Sequence, residues 1–236
     1  MEMEVEKMRS DLLRSVSHDL RTPLTSIIGS SSVLMEDDAL TPVQRNDLLS
    51  EINKDARWLA RVTENILSIT RFSGSAVNLR TEDEVIEEIV ASAIVKFRSN
   101  HPEIAVRVDR PEEILLAQMD ATLIEQVLIN LFDNAAAHGG HVSEIRVSIA
   151  RDGNDVRVTV ADDGEGIPRD TLPHLFDGRG LARSDDGRHM GIGLSVCQSI
   201  LRAHGGRIVA ENGENGGARF IFHLPQHGEG GSSHAL

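Results

Sequence analysis

The strongest constraint on the N-terminal third is a helical periodicity. Leu13, Val16, Leu20, Leu24, Ile27 and Leu34 recur at three- and four-residue steps, which sets one buried apolar stripe along a helix expected over about residues 4–37. Inside it stands Ser17-His18-Asp19-Leu20-Arg21-Thr22-Pro23-Leu24. His18 falls off the stripe and is expected to face outward, with Asp19 beside it and Thr22 one turn on. Pro23 sits mid-helix, where it removes a backbone donor and clashes with the preceding turn, so a bend is expected. Taken singly, each residue has a plain structural explanation. A helical histidine is usually solvated or core, Asp19 can pair with Arg21 or Arg14, and Thr22 can bond back to an upstream carbonyl.

Thr41-Pro42 reads as N-cap and N1 of a second helix to about residue 72. Its stripe is Leu48, Ile52, Leu59, Val62, Ile66 and Ile69. A short connection makes the pair an antiparallel hairpin. Two helices bury too little apolar surface to stand alone, so a second copy and a dimeric four-helix bundle are expected. The alternative is that the hairpin packs on its own chain. Ser73-Gly74-Ser75 marks the domain boundary, giving a hairpin over 1–73 and a second domain over 76–225.

Beyond it the pattern mixes α and β. Thr81-x-x-Glu84 reads as a capping box opening a helix to about residue 98. Strands are expected over 104–108 and 114–119, and Asp120 caps a helix through about residue 137. Alternating strands over 142–150 and 156–161 meet at Arg151-Asp152-Gly153-Asn154. A short helical piece reaches Phe176, a Gly-rich polar stretch covers 177–190, and a helix over 192–203 ends at Gly205-Gly206. Strands over 207–210 and 218–224 close the sheet. The Gly/Ser/His-rich tail over 226–236 is expected to be disordered. The fold class is α+β, a helical hairpin followed by an α/β sandwich.

Composition narrows the partners. The chain has 236 residues and a formal charge of −13, which argues against nucleic acid or an anionic membrane. Cys197 is the one cysteine, so neither an intrachain disulfide nor a cysteine-based zinc site can form, and its apolar neighbours make it a core residue. No apolar run reaches the roughly 18 residues a spanning helix needs, and the acidic N-terminus is no secretory signal. A cytoplasmic location is expected, with any membrane anchor of a sensor lying outside this chain.

Three pieces point to a nucleotide. Asn130 and Asn134 stack at i,i+4 on the otherwise apolar helix over 120–137, where asparagine is a mediocre helix former. Asp162-Asp163-Gly164-Glu165-Gly166-Ile167-Pro168 follows a strand. Its glycines let backbone approach a ligand, and an acid there can accept a hydrogen bond from an adenine amino group. Gly191-Ile192-Gly193-Leu194 opens a helix, where unpaired N–H groups and the dipole favour phosphate. Each alone has a bland reading, as a polar helix–loop contact, a surface turn or a tight start to a helix.

In this order and separation the three resemble the N, G1 and G2 boxes of the GHKL ATP-binding family, with Phe176 in the F-box position. The octet around His18 resembles the phosphoacceptor box of two-component sensor histidine kinases. The run Ser15 to Leu24 and its adjoining helices are most similar to the potassium-responsive Kdp type. The resemblance implies ATP and Mg²⁺ as cofactors, with Asn134 on the metal and Asn130 and His138 on the phosphate side. Asp162 is then the acceptor for the adenine amino group, Gly164 and Gly166 let the loop pass the base, and Ile167 lines its pocket. Residues 177–190 become the lid, carrying Arg179, Arg183 and Arg188, while Gly191, Gly193 and Leu194 meet the phosphates. His18 is the nucleophile, Asp19 orients its ring, and Thr22 orients a water for dephosphorylation of the partner. That partner is the receiver domain of a response regulator, and the assembly a homodimer.

Two departures stand out. Similar kinases place a basic residue three positions after the metal asparagine, where this chain has Ala137, and the lid is short with arginines in place of an aromatic–basic pair. Two rivals follow. GHKL ATPases carry a water-activating glutamate one turn before that asparagine, and here the position is Asn130, which cannot take a proton. A dimeric scaffold with a decayed ATP site is motivated by Ala137.

Overall fold

The computed structural model describes residues 21–36, 39–72, 79–176, 192–214 and 216–226. The chain divides into two compact units between Leu67 and Ser68. His18, Asp19, the Ser73–Ser75 break, Arg179, Arg183, Arg188, Gly191 and the tail beyond Gln226 lie outside the described residues.

The first unit holds a helix over residues 21–36 (α1) and α2, Pro42–Phe72. The predicted cap at the start of α2 is a full capping box. Thr41 Oγ1 accepts from the Gln44 N–H at 3.3 Å, and Gln44 Oε1 accepts from the Thr41 N–H at 3.0 Å. Within the single chain the apolar stripe is only partly covered. Leu24 is 51% exposed, and Ile27, Leu34, Leu48, Ile52 and Leu59 are half-buried. Ile28, Met35, Val43 and Leu49 are exposed as well. Two helices present more apolar surface than they can cover for each other, the shortfall for which a second copy is expected.

The second unit runs β1 (Glu82–Val85), α3 (Ile86–Asn100), β2 (Ala105–Asp109), β3 (Leu116–Met119), α4 (Ala121–His138), β4 (Glu144–Asp152) and β5 (Asp155–Asp162). A 3-10 turn at Leu172–His174, α5 (Ile192–Ala203), β6 (Arg207–Asn212) and β7 (Ala218–Pro225) complete it. Five strands form one sheet in the order β2-β4-β5-β7-β6, antiparallel except for the parallel β2–β4 pair. Period-two alternation sends Ile145, Val147 and Ile149 of β4, Val156, Val158 and Val160 of β5, and Phe220, Phe222 and Leu224 of β7 into the core. Register places Val147, Val160 and Phe220 side by side across the sheet. Against this face pack α4 and α5, with α3 on α4, contributing Phe97, Leu128, Leu131, Phe132 and Ile200 to the core.

One expectation fails here. Thr81-x-x-Glu84 caps no helix, because Glu82–Val85 is a strand paired antiparallel with β3, Glu82 opposite Met119 and Val85 opposite Leu116. The helix begins only at Ile86, after Val85 in an extended conformation. A partner more than thirty residues away outweighs a local capping signal. The β4–β5 turn is also tighter than expected. Both strands extend to leave Gly153-Asn154 between them, with Gly153 at φ +63°.

His204 ties the far ends of the two helices that carry the asparagines and the Gly193 turn. It is 7% exposed, accepts from the Asp120 N–H through Nε2 at 3.0 Å, and donates from Nδ1 to the Ile200 carbonyl at 2.7 Å. Both bonds require a neutral ring, since a protonated Nε2 would point a hydrogen at the Asp120 N–H. Burial pulls its pKa below the usual 6.5, opposed by the Ile200 carbonyl and the Asp120 charge. A lowered folded-state pKa gives stability that is present above the unfolded value and lost as pH falls through the folded one. Urea unfolding of wild type should therefore weaken more steeply than that of His204→Gln as pH drops below about 6.5. Equal pH dependence of the two would contradict this assignment.

Candidate nucleotide-binding site

The site is built from the C-terminal half of α4, the loop after β5, and the first turn of α5. Asp120 caps α4 by accepting from the Leu123 N–H at 3.2 Å. Ile124, Val127, Leu128, Leu131 and Ala135 then face the core, which leaves Asn130 and Asn134 half-buried on another face. Asn130 Oδ1 accepts from Gln126 Nε2 at 3.1 Å, while its buried Nδ2 has no hydrogen-bond partner among the described residues. The amide faces α5. The Asn130 Cγ lies 4.0 Å from where a Cβ on Gly193 would stand. Burial pushes Cys197 up to about 12, so this thiol is an inert core group. Asn130 and Gly193, distant in sequence, thus meet in space.

The loop after β5 carries two acids with opposite tasks. Asp163 Oδ1 accepts from the Ser143 and Glu144 N–H groups at 2.9 and 3.1 Å, and Oδ2 from the Ser143 hydroxyl at 2.5 Å. Burial pushes its carboxyl up, but the Ser143 hydroxyl and these backbone donors outweigh that and hold it below the ordinary value. Asp163 is a strut to the start of β4. Among the described residues, Asp162 accepts through Oδ1 alone, from the Gly164 N–H at 3.0 Å and the Ala218 N–H at 3.1 Å. Its Oδ2 remains to receive a donor from a ligand.

The loop is held on two sides. Glu165 N–H donates to the Gly139 carbonyl at 2.9 Å, and a Cβ on Gly164 would run into that same carbonyl. On the other side Asn212 brackets Ile167, accepting its N–H at 2.7 Å and donating to its carbonyl at 2.8 Å. Gly166 takes φ +82° to make this turn. Asn212, Gly139 and the Ala218 N–H were not singled out from sequence. The doublets Gly139-Gly140 and Gly216-Gly217 are the one local signal for these contacts.

Of the remaining candidates, Ile167 and Phe176 are half-buried, Gly193 is half-buried at the start of α5, and His138 is exposed at the end of α4 beside exposed Ala137. Leu194 is 4% exposed and belongs to the core, so it anchors α5 rather than presenting a side chain to a ligand. Thr22 is exposed on α1. A cleft of about 460 Å³ is lined by Asp162 and Asp163 themselves and runs from them over the sheet face away from the core, past Arg146, Ser148, Thr159 and Arg219. Its arginines are already paired, Arg146 with Glu144 at 3.0 Å and Arg219 with Glu211 at 3.2 Å. No helix among the described residues is long and apolar enough to cross a membrane.

Comparison with known proteins agrees with this geometry. Residues 119–228 match the family of histidine kinase-, DNA gyrase B- and HSP90-like ATPases, and residues 8–74 match the His Kinase A phospho-acceptor domain. Sensor protein KdpD of Clostridium acetobutylicum is 40% identical over 96% of this chain and 26% of its own length. KdpD of Escherichia coli strain K12 is 34% identical over 96% of this chain and 25% of its own. The chain thus spans about a quarter of the length of these curated relatives. The solved catalytic domain of histidine kinase ThkA is 32% identical, with a TM-score of 0.55 over 63% of this chain and 97% of that one. ThkA in complex with response regulator protein TrrA is 28% identical, with a TM-score of 0.74 over 95% of this chain and 64% of that one. The phospho-acceptor hairpin, the ATPase-type sheet unit and these relatives together make the chain a member of the sensor histidine kinase family.

Proposed function

We propose that the chain is an ATP-dependent protein histidine kinase of the Kdp type, acting as a cytoplasmic homodimer. Residues 1–73 form its dimerisation and phosphotransfer hairpin, 76–225 its ATP-binding domain, and 226–236 a tail. The observation that carries the reading is Asp162, whose Oδ1 is fixed by two backbone donors and whose Oδ2 suits an adenine amino group. The half-exposed stripe of the hairpin, with Leu24 half exposed, suits closure by a second copy. The receiver domain of a response regulator is the expected phosphate acceptor, as the ThkA–TrrA complex suggests for a relative.

His18 acts as the nucleophile. A neutral imidazole is available near pH 7 because its ordinary pKa is about 6.5. One ring nitrogen attacks the γ-phosphorus in line, ADP leaves, and Asp19 holds the other N–H and stabilises the cation that develops. Mg²⁺ would be held by the Asn134 amide oxygen together with phosphate oxygens and water, a fit for a hard ion that keeps part of its hydration. No group of three His, Cys, Asp or Glu side chains that could hold a metal ion occurs among the described residues. The metal's contribution is to neutralise charge on the β- and γ-oxygens. Gly191, the first turn of α5 at Gly193 and the lid residues Arg183 and Arg188 complete the phosphate side.

A hydrolytic ATPase is disfavoured because the position for a water-activating base is Asn130, whose oxygen is already bonded to Gln126. Incubation with radiolabelled ATP and Mg²⁺ should give acid-labile, base-stable label. His18→Ala should abolish the label and keep ATP binding, whereas Asp162→Asn should weaken ATP binding because an amide can present a donor where an acceptor is needed. Equal labelling of His18→Ala would overturn the acceptor assignment.

Thr22, at i,i+4 from His18, is within reach of the same phosphoryl group. Thr22→Ala should keep autophosphorylation and lose dephosphorylation of the regulator. Parallel loss of both would mean that Thr22 is only structural.

Ala137 removes one charge-assisted contact near the phosphates, worth roughly 1.5–3 kcal/mol or about ten- to a hundredfold in affinity. Arg183 or Arg188 takes its place, since guanidinium binds phosphate bidentately. Ala137→Lys should tighten ATP binding and rescue Arg183→Ala or Arg188→Ala. Unchanged ATP affinity in both arginine variants, with ADP and ATP bound equally, would refute the compensation.

A further inference from the structure

The geometry points to Asn212, at the end of β6, as a positioning residue that sets the base pocket and its preference for adenine over guanine. This rests on the nucleotide reading above. The Asn212 amide makes a two-point bond to one residue, accepting the Ile167 N–H at 2.7 Å and donating to the Ile167 carbonyl at 2.8 Å. A side chain here does what a neighbouring strand would do for an extended residue, and it does so for the loop residue expected to wall the base. The contact spans forty-five positions of sequence, and Asn212 itself is exposed, so it is not a core-packing residue.

The turn that follows Asn212 holds the same loop a second time. Gly213 N–H donates to the Gly217 carbonyl at 3.0 Å, closing the turn, and the next residue, Ala218, donates its N–H to Asp162 Oδ1. At Gly217, with φ +75°, a Cβ would run into the Asp162 carbonyl, so the backbone approach that delivers the Ala218 N–H depends on a bare glycine. The β6–β7 hairpin end therefore holds both the Asp162 carboxylate, through its Oδ1, and the Ile167 wall at a set spacing. A 6-amino group donates to Asp162 at that spacing, whereas the guanine 6-oxo group meets a carboxylate and is repelled. Loosening Ile167 removes the adenine advantage and leaves the phosphate contacts, which do not depend on the base.

Calorimetric titration of the whole chain with ATP and with GTP tests this, with thermal midpoints measured alongside. Asn212→Ala should weaken ATP about tenfold, the equivalent of losing one or two net hydrogen bonds, and change GTP by less than about threefold. Asn212→Asp is isosteric but turns a second oxygen toward the Ile167 carbonyl, so it should lose ATP affinity at least as far as Asn212→Ala. Wild-type ATP affinity in either variant overturns the inference, and so does an equal loss of ATP and GTP. A wild-type chain that binds no ATP overturns the nucleotide reading along with it. Weakened ATP binding by Asp162→Asn with Asn212→Ala unaffected overturns this inference alone.

Discussion

The Asp162 carboxylate is the point on which the sheet unit's chemistry depends. One of its oxygens accepts from Gly164 in its own loop and from Ala218 at the start of β7, so it joins the end of β5, the loop and the last strand. A carboxylate fixed by two backbone donors on one oxygen has little freedom to turn, and its other oxygen is preorganised. The neighbouring Asp163 has all its visible bonding directed to Ser143 and Glu144. Adjacent acids therefore divide the work, one anchoring the loop and one offering an acceptor.

Around that point the elements are placed by ordinary packing. The buried faces of β4, β5 and β7 seat α4 and α5, and the Asn130 amide meets Gly193 where the two helices cross. His204 fixes the other end of the same pair through two hydrogen bonds that need a neutral ring. The helical unit follows a different logic. Its apolar positions are regular along the chain yet remain half exposed, a surface that one hairpin cannot cover.

Much of this was legible in the sequence. The alternating runs of β4, β5 and β7 and the cap at Asp120 give local signals that tertiary structure only reinforces. The same holds for the Thr41 cap and the glycines after α5. What could not be read were features whose partners lie far away. Glu82–Val85 looks like the start of a helix until β3 lies beside it. Asn212 looks like a residue before a turn until Ile167 is seen between its amide atoms. Leu194 follows the glycines of a phosphate turn in sequence, but its side chain belongs to the core.

The central claim is that Asp162 Oδ2 recognises the purine 6-amino group. The direct measurement compares ATP with purine riboside triphosphate, which lacks that group, on wild type and on Asp162→Asn. The account predicts that wild type binds the analogue about ten- to a hundredfold more weakly than ATP, as expected for a hydrogen bond to a charged acceptor, and that Asp162→Asn binds the two alike. Equal affinity of wild type for ATP and the analogue would contradict it.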